Sequence, residues 1–90
     1  MRSIGKEGEL NRPYSVSVSE SHVYVGDDES SVKVYKKSGE FVKAVGKRGT
    51  GKGEIGGGGV FGLLVCGERG GERLYVSDTN NNRIQIWKGE

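Results

Sequence analysis

Two stretches of this chain spell the same hairpin. Leu74-Tyr75-Val76-Ser77-Asp78-Thr79-Asn80-Asn81-Asn82-Arg83-Ile84-Gln85-Ile86-Trp87 reads as strand, polar turn, strand. Val23-Tyr24-Val25-Gly26-Asp27-Asp28-Glu29-Ser30-Ser31-Val32-Lys33-Val34-Tyr35 is a weaker copy. Tyr24 aligns with Tyr75, Asp27 with Asp78, Val32 with Ile84, Val34 with Ile86 and Tyr35 with Trp87. Upstream, Ile4-Gly5-Lys6 aligns with Val45-Gly46-Lys47, and Gly8-Glu9-Leu10 with Gly53-Glu54-Ile55. A repeated supersecondary unit constrains the fold more than any single motif, because one unit cannot bury its apolar face alone. The offset between the copies rises along the chain, which marks insertions in the second, expected at residues 49–52 and 68–72.

The units read as strands. Glycine fills 17 of 90 positions, and each costs a helix interior about 1 kcal/mol against alanine. Apolar residues alternate with polar ones over residues 14–19, 22–26, 32–36, 60–66, 73–77 and 83–88, the pattern of half-buried strands. Residues 40–46 supply a further outer strand, and polar clusters separate the runs. Four-stranded units of about 40–50 residues are propeller blades. The expected fold is all-β: two four-stranded antiparallel blades, part of a six-bladed β-propeller. Residues 1–8 end an outer strand, 9–49 form the first blade, and 50–90 form the second. That second blade carries a glycine-rich insertion at 49–59 and lacks its outer strand. The N-terminal strand of another copy could complete it, with about three copies closing a ring. A fragment of a longer protein is the alternative. Ile84 and Ile86 are expected to fill the space between blades, with Tyr75 and Trp87 on the opposite face.

These segments resemble the NHL-repeat β-propellers. Gly8-Glu9-Leu10-Asn11-Arg12-Pro13-Tyr14-Ser15-Val16-Ser17-Val18 is similar to the opening of that repeat. Tyr75 to Trp87 is similar to its Tyr-Val-Ala-Asp strand, asparagine-rich turn and Arg-Ile-Gln-Val-Phe strand. Glu40-Phe41-Val42-Lys43-Ala44-Val45-Gly46 looks like its closing strand. Gly56-Gly57-Gly58-Gly59 departs from the pattern, standing where the second unit should carry a proline or its equivalent. WD40 propellers are the weaker match: Trp87 is followed by Lys88 instead of aspartate, and no Gly-His dipeptide occurs. The resemblance implies a non-catalytic protein-interaction scaffold. Alternatively it implies part of a ubiquitin-ligase targeting domain, or of an NHL-like lyase whose metal-binding histidines would lie on other blades. Some NHL propellers bind RNA.

The chemistry motifs are thin. Gly46-Lys47-Arg48-Gly49-Thr50-Gly51-Lys52-Gly53 nearly matches a phosphate loop, but Gly53 stands where the magnesium-binding hydroxyl belongs, and four glycines follow instead of a helix. Asp27-Asp28-Glu29 lacks the spacing of a calcium loop, and three acids in a turn are expected to face water. His22 is the only histidine, and Cys66, the only cysteine, is expected to be a small buried thiol. No nucleophile–base pair is evident, so no enzyme, metal or cofactor is expected. From residue 33 to 52, seven bases face one acid, a local charge of +6 within a net charge of +2. That stretch reads as a solvated face or as an anion-binding surface. Arg12, Lys47, Arg48, Lys52, Asn82 and Arg83 fall in or beside turns and are the candidate contacts to a protein partner or to RNA. No membrane partner is expected, and with one cysteine and no leader-like run the expected setting is cytoplasmic.

Overall fold

The computed structural model describes residues 3–6, 8, 10, 12–27, 31–56 and 62–89. Its regular structure is all-β apart from one 3-10 turn at Thr79–Asn81. Strands β1 (Ser15–Val18), β2 (His22–Gly26), β3 (Val32–Lys36) and β4 (Phe41–Val45) form an antiparallel meander in chain order. The two-residue strands β5 (Lys47–Arg48) and β6 (Glu54–Ile55) pair in parallel. Strands β7 (Gly62–Glu68), β8 (Gly71–Asp78) and β9 (Arg83–Lys88) form a second antiparallel sheet. Neither sheet closes on itself.

The bounds of β2, β3 and β9 coincide with those expected from alternation. The insertion expected at 68–72 lengthens a hairpin instead of a loop: ten residues separate Leu64 from its partner Tyr75, against six between Ser17 and Tyr24. β7 and β8 extend their ladder to Glu68 opposite Gly71 and turn tightly there. Of the glycine run, Gly57, Gly58 and Gly59 lie outside the described residues, as do Asp28 and Glu29 of the acidic turn. Residues 3–6 form no strand; Ile4 packs on Val23, Val25 and Tyr35 of the first sheet.

The two hairpins share one register. Tyr24 stands opposite Val34 and Gly26 opposite Val32; likewise Tyr75 stands opposite Ile86 and Ser77 opposite Ile84. Val23 opposes Tyr35 as Leu74 opposes Trp87. Cross-strand partners share a face, so each hairpin has a Tyr face and a second apolar face.

The main core forms where the Tyr face of the first sheet meets the second apolar face of the other. Tyr24, Val32 and Val34 bury against Leu74, Val76, Val65 and Ile55, with Trp87 packed at the side. Each such side chain contributes about 1.5–3 kcal/mol by leaving water. Two polar ties cross the same junction. The Tyr24 hydroxyl donates to Glu72 Oε1 at 2.7 Å, and the Val65 amide donates to Ser17 Oγ at 3.0 Å. The chain passes between the sheets at Gly46, whose φ is +86°. A Cβ there would lie 2.8 Å from the Trp87 ring, so only glycine fits.

The faces correct the sequence expectation. Tyr75 shares its face with Ile84 and Ile86, and Trp87 lies on the other, inward face. Ile84 and Ile86 do not fill the junction: they are 63% and 60% exposed, on the far side of the second sheet. Period-two alternation fixes which residues travel together, not which set turns inward.

Candidate functional site

The most organised polar region lies at the turn between β8 and β9. Asp78 ends β8 and is fully buried. Its Oδ1 accepts the Gly56 amide at 2.8 Å. Its Oδ2 accepts Arg83 Nε at 2.8 Å, Asn81 Nδ2 at 3.0 Å and Gln85 Nε2 at 3.1 Å. Burial pushes this carboxyl up. The hydrogen bond from Gly56, then those from Asn81, Arg83 and Gln85, outweigh burial and hold it below the usual carboxylate range.

β9 makes this possible by facing its polar residues inward. Arg83, Gln85 and Trp87 are half-buried while Ile84, Ile86 and Lys88 are exposed. The inward row reaches across to the segment joining the sheets. Arg83 Nη2 donates to the carbonyls of Gly51 at 2.7 Å and Glu54 at 2.8 Å. Gln85 donates to the Glu54 carbonyl at 2.6 Å and accepts the Gly53 amide at 3.1 Å. Asn81 donates to the Gly49 carbonyl at 2.9 Å. Asn82 follows with φ +55°, the left-handed geometry that asparagine tolerates. One buried carboxylate and three polar side chains therefore pin a loop of otherwise flexible composition.

The pinned loop displays cations. Lys47, Arg48 and Lys52 are exposed, as is Asn82 beside them on the turn. Lys47 lies 3.5 Å from Glu54. The Glu54 carboxyl is held below its usual range by the Gly51 amide first and by Lys47 next, against some burial. Of the six residues expected as contacts, Lys47, Arg48, Lys52 and Asn82 stand on this loop and its turn. Arg83 belongs to the pinning network instead. Arg12 is exposed at φ +51° by the other turn, two residues before Tyr14, whose amide bonds the Gly26 carbonyl at 2.9 Å.

The turn between β2 and β3 holds a simpler version of the same device. Asp27, at the position matching Asp78, is fully buried and accepts Lys33 Nζ at 2.7 Å, with Lys33 itself 7% exposed. Ser31 bonds both partners. The expectation that this acid faces water is therefore wrong for Asp27, because a lysine six residues on neutralises it. The +6 stretch is also less available than its count implies. Lys33 is buried in that pair, and Lys36 lies 3.4 Å from Glu40.

Cys66 is half-buried, not enclosed; it stands opposite Arg73 in the outward face of the second sheet. His22 is half-buried, with Nδ1 2.7 Å from the exposed Ser21 hydroxyl. Among the described residues, no group of three or more His, Cys, Asp or Glu could hold a metal. No described helix is long and apolar enough to cross a membrane. The sequence reading missed Gln85, Glu54 and the long reach of Asp78. The available signal was the polar alternate row of β9, which a strand with a dry inner face would not carry.

Beside the loop lies β9, the last strand of the second sheet among the described residues. In the first sheet, β4 occupies the outer edge of β3, with Val32 opposite Val45 and Val34 opposite Lys43. Among the described residues, no strand takes that place on β9. A cleft of about 480 Å³ runs there, lined by Lys52, Gly53, Gln85, Ile86, Trp87 and Lys88. No known family model matches this chain, and no curated protein matches it in sequence.

Proposed function

We propose that this chain is a segment of an NHL-type β-propeller, its two sheets successive blades, acting as a non-catalytic protein-interaction scaffold. The shared register of the two hairpins and their alike Asp-centred turns support the propeller reading. The observation that carries the interaction is the loop at residues 47–53, held rigid and basic beside β9. Lys52 and Lys88 flank the cleft there, so the partner segment is acidic. Preorganisation by Asp78, Arg83 and Gln85 lowers the ordering cost of binding.

Selection from a displayed library of linear peptides tests this reading. The expected binders are acidic, and they perturb the backbone amides of Lys52, Gly53 and Gln85–Lys88 in a nitrogen–proton spectrum. Binders that perturb other segments, or none at all, would refute it. RNA binding by Lys47, Arg48 and Lys52 is the competing reading, favoured by three exposed cations on one short segment. Three phosphate contacts would give log K a slope of about −2 against log salt. Anisotropy of a labelled single-stranded RNA showing that slope, with no peptide selected, would replace the peptide reading.

A further inference from the structure

We propose that the loop at residues 47–54 is an oxyanion site whose place is held by the chain's own Glu54 carboxylate, and that a side-chain carboxylate of the acidic partner enters by displacing it. The inference rests on the reading of this loop as the contact to such a partner.

The Glu54 carboxylate folds back into its own loop. Its Oε1 accepts the Gly51 amide at 2.9 Å, and its Oε2 lies 3.5 Å from Lys47 Nζ. Gly49 and Gly51 leave the space it fills: a Cβ at either would come up against Oε1. Arg83 adds positive charge from behind, since its Nη2 donates to the carbonyls of Gly51 and Glu54. An amide, an ammonium and a guanidinium around a glycine-lined space are what an oxyanion requires. The carboxyl is held below its usual range by the Gly51 amide first, as befits an anion seated among donors.

The seat and its occupant are held by different bonds. The Glu54 backbone is fixed through its carbonyl, which accepts Arg83 Nη2 at 2.8 Å and Gln85 Nε2 at 2.6 Å. The Gly49 amide donates to the Ile55 carbonyl at 2.9 Å, and the Glu54 amide to the Gly51 carbonyl at 3.1 Å. None of these bonds uses the Glu54 carboxylate. Its own hold is one exposed hydrogen bond and one long contact to a lysine whose side chain is 78% exposed. Exposed ion pairs of this kind are weak. The side chain can therefore swing out about its own torsions while the loop keeps its shape. The Gly51 amide and Lys47 then pass to another anion.

An acidic partner supplies the replacement. Lys52 and Gly53, next along the loop, line the cleft beside β9, so a row of carboxylates lying in that cleft passes the seat. Like charge makes the two occupants exclusive, because a second carboxylate is repelled while Glu54 is seated. The displaced state is the one that binds, and the affinity is lowered to the extent that Glu54 fills the seat. Glu54 thus keeps small anions out and yields to a partner that makes further contacts at Lys52.

The test titrates the full chain with end-blocked hexaglutamate, and separately with inorganic phosphate, following the Gly51 amide in a nitrogen–proton spectrum. Glu54→Ala is expected to bind hexaglutamate about tenfold more tightly than wild type, with the Gly51 signal moving over the same concentration range. Glu54→Gln keeps an oxygen for the Gly51 amide and is expected to gain only about threefold. Lys47→Ala added to Glu54→Ala should cancel most of the gain. Glu40→Ala removes an exposed acid that lies 3.4 Å from Lys36 and controls for net charge. It should change the affinity by less than about twofold. Emission of Trp87 checks that each variant keeps the fold, and Glu54→Gln carries the test if Glu54→Ala loses it. Equal affinities of wild type and the folded Glu54 variants overturn the inference, as does an equal gain in Glu40→Ala. A gain towards phosphate with none towards hexaglutamate overturns the carboxylate as ligand. Acidic peptides selected by wild type, with no gain in the Glu54 variants, overturn this inference and leave the partner reading standing. A gain at Gly51 with no acidic peptide selected keeps the oxyanion site and overturns the partner reading.

Discussion

Replacing Asp78 by asparagine should destabilise the chain strongly although the side chain keeps its shape. Asparagine has one oxygen, which serves best facing Asn81 Nδ2, Arg83 Nε and Gln85 Nε2; its nitrogen then faces the Gly56 amide, donor against donor, in a buried place. That hydrogen bond is lost, a buried donor is left unmatched, and the Arg83 guanidinium is left without its carboxylate. Breaking a fully buried ion pair costs about 3–5 kcal/mol. Asp78 is fully buried, but the Arg83 side chain is 32% exposed, so water replaces part of the loss and about 3 kcal/mol is expected. A chain of this length has a total stability of about 5–13 kcal/mol. With a urea slope of about 1.5 kcal/mol per molar, the midpoint falls by roughly 2 M. Emission of Trp87, the only tryptophan, reports the transition from the core beside Gly46. Asn80→Ala, at an exposed turn residue, is the control and should stay within about 0.5 kcal/mol of wild type. An Asp78→Asn midpoint equally close to wild type would refute the pinning role.

Three further outcomes follow from the same contacts. Lys33→Met strands the buried Asp27 carboxylate and should cost about 3–5 kcal/mol in urea melts, while adding Asp27→Asn should recover at least about half. Gly46→Ala should cost about 2–3 kcal/mol through both left-handed strain and the Trp87 contact. Gly53→Ala, at φ +76° in open space, should cost only the strain, about 1 kcal/mol. The Asp78 and Glu54 carboxyls are held below their usual values when folded, so their contribution is present above the unfolded carboxylate pKa of about 4 and lost as pH falls through the folded values. Thermal melts should therefore be level from neutrality to about pH 5 and fall below about pH 4, with a shallower fall in Asp78→Asn.

Much of the secondary structure was legible because polar clusters bracket short alternating runs. β2, β3 and β9 lie between such clusters and read correctly from end to end. β7 and β8 were clipped, because Gly67, Gly70, Gly71 and the charges around them have a loop's composition; pairing of the flanking strands carries the ladder through them. β5 and β6 are too short to show a period, and their parallel pairing depends on the chain reversing between them. Burial of Asp27 was hidden by its acidic neighbours in sequence. Its partner Lys33 lies within β3, one residue past Val32, and only the hairpin register brings the two together. The candidate contacts divide in the same way. Lys47, Arg48, Lys52 and Asn82 are exposed as a turn-based reading expects. Arg83 is not a free contact, because the side chain of a strand's first residue reaches the turn before it. The orientation of Tyr75, Ile84 and Ile86 depended on which sheet face found a neighbour, and a single hairpin does not carry that information.

The central structural claim is that the Tyr face of the first sheet packs on the second sheet. The most direct measurement is a double-mutant cycle on Tyr24→Phe and Glu72→Gln, whose wild-type side chains meet at 2.7 Å across that junction, 48 residues apart in sequence. A charge-assisted hydrogen bond at a partly buried site predicts a coupling of about 1–2 kcal/mol in urea melts. Additivity within about 0.3 kcal/mol would contradict the packing of one sheet on the other.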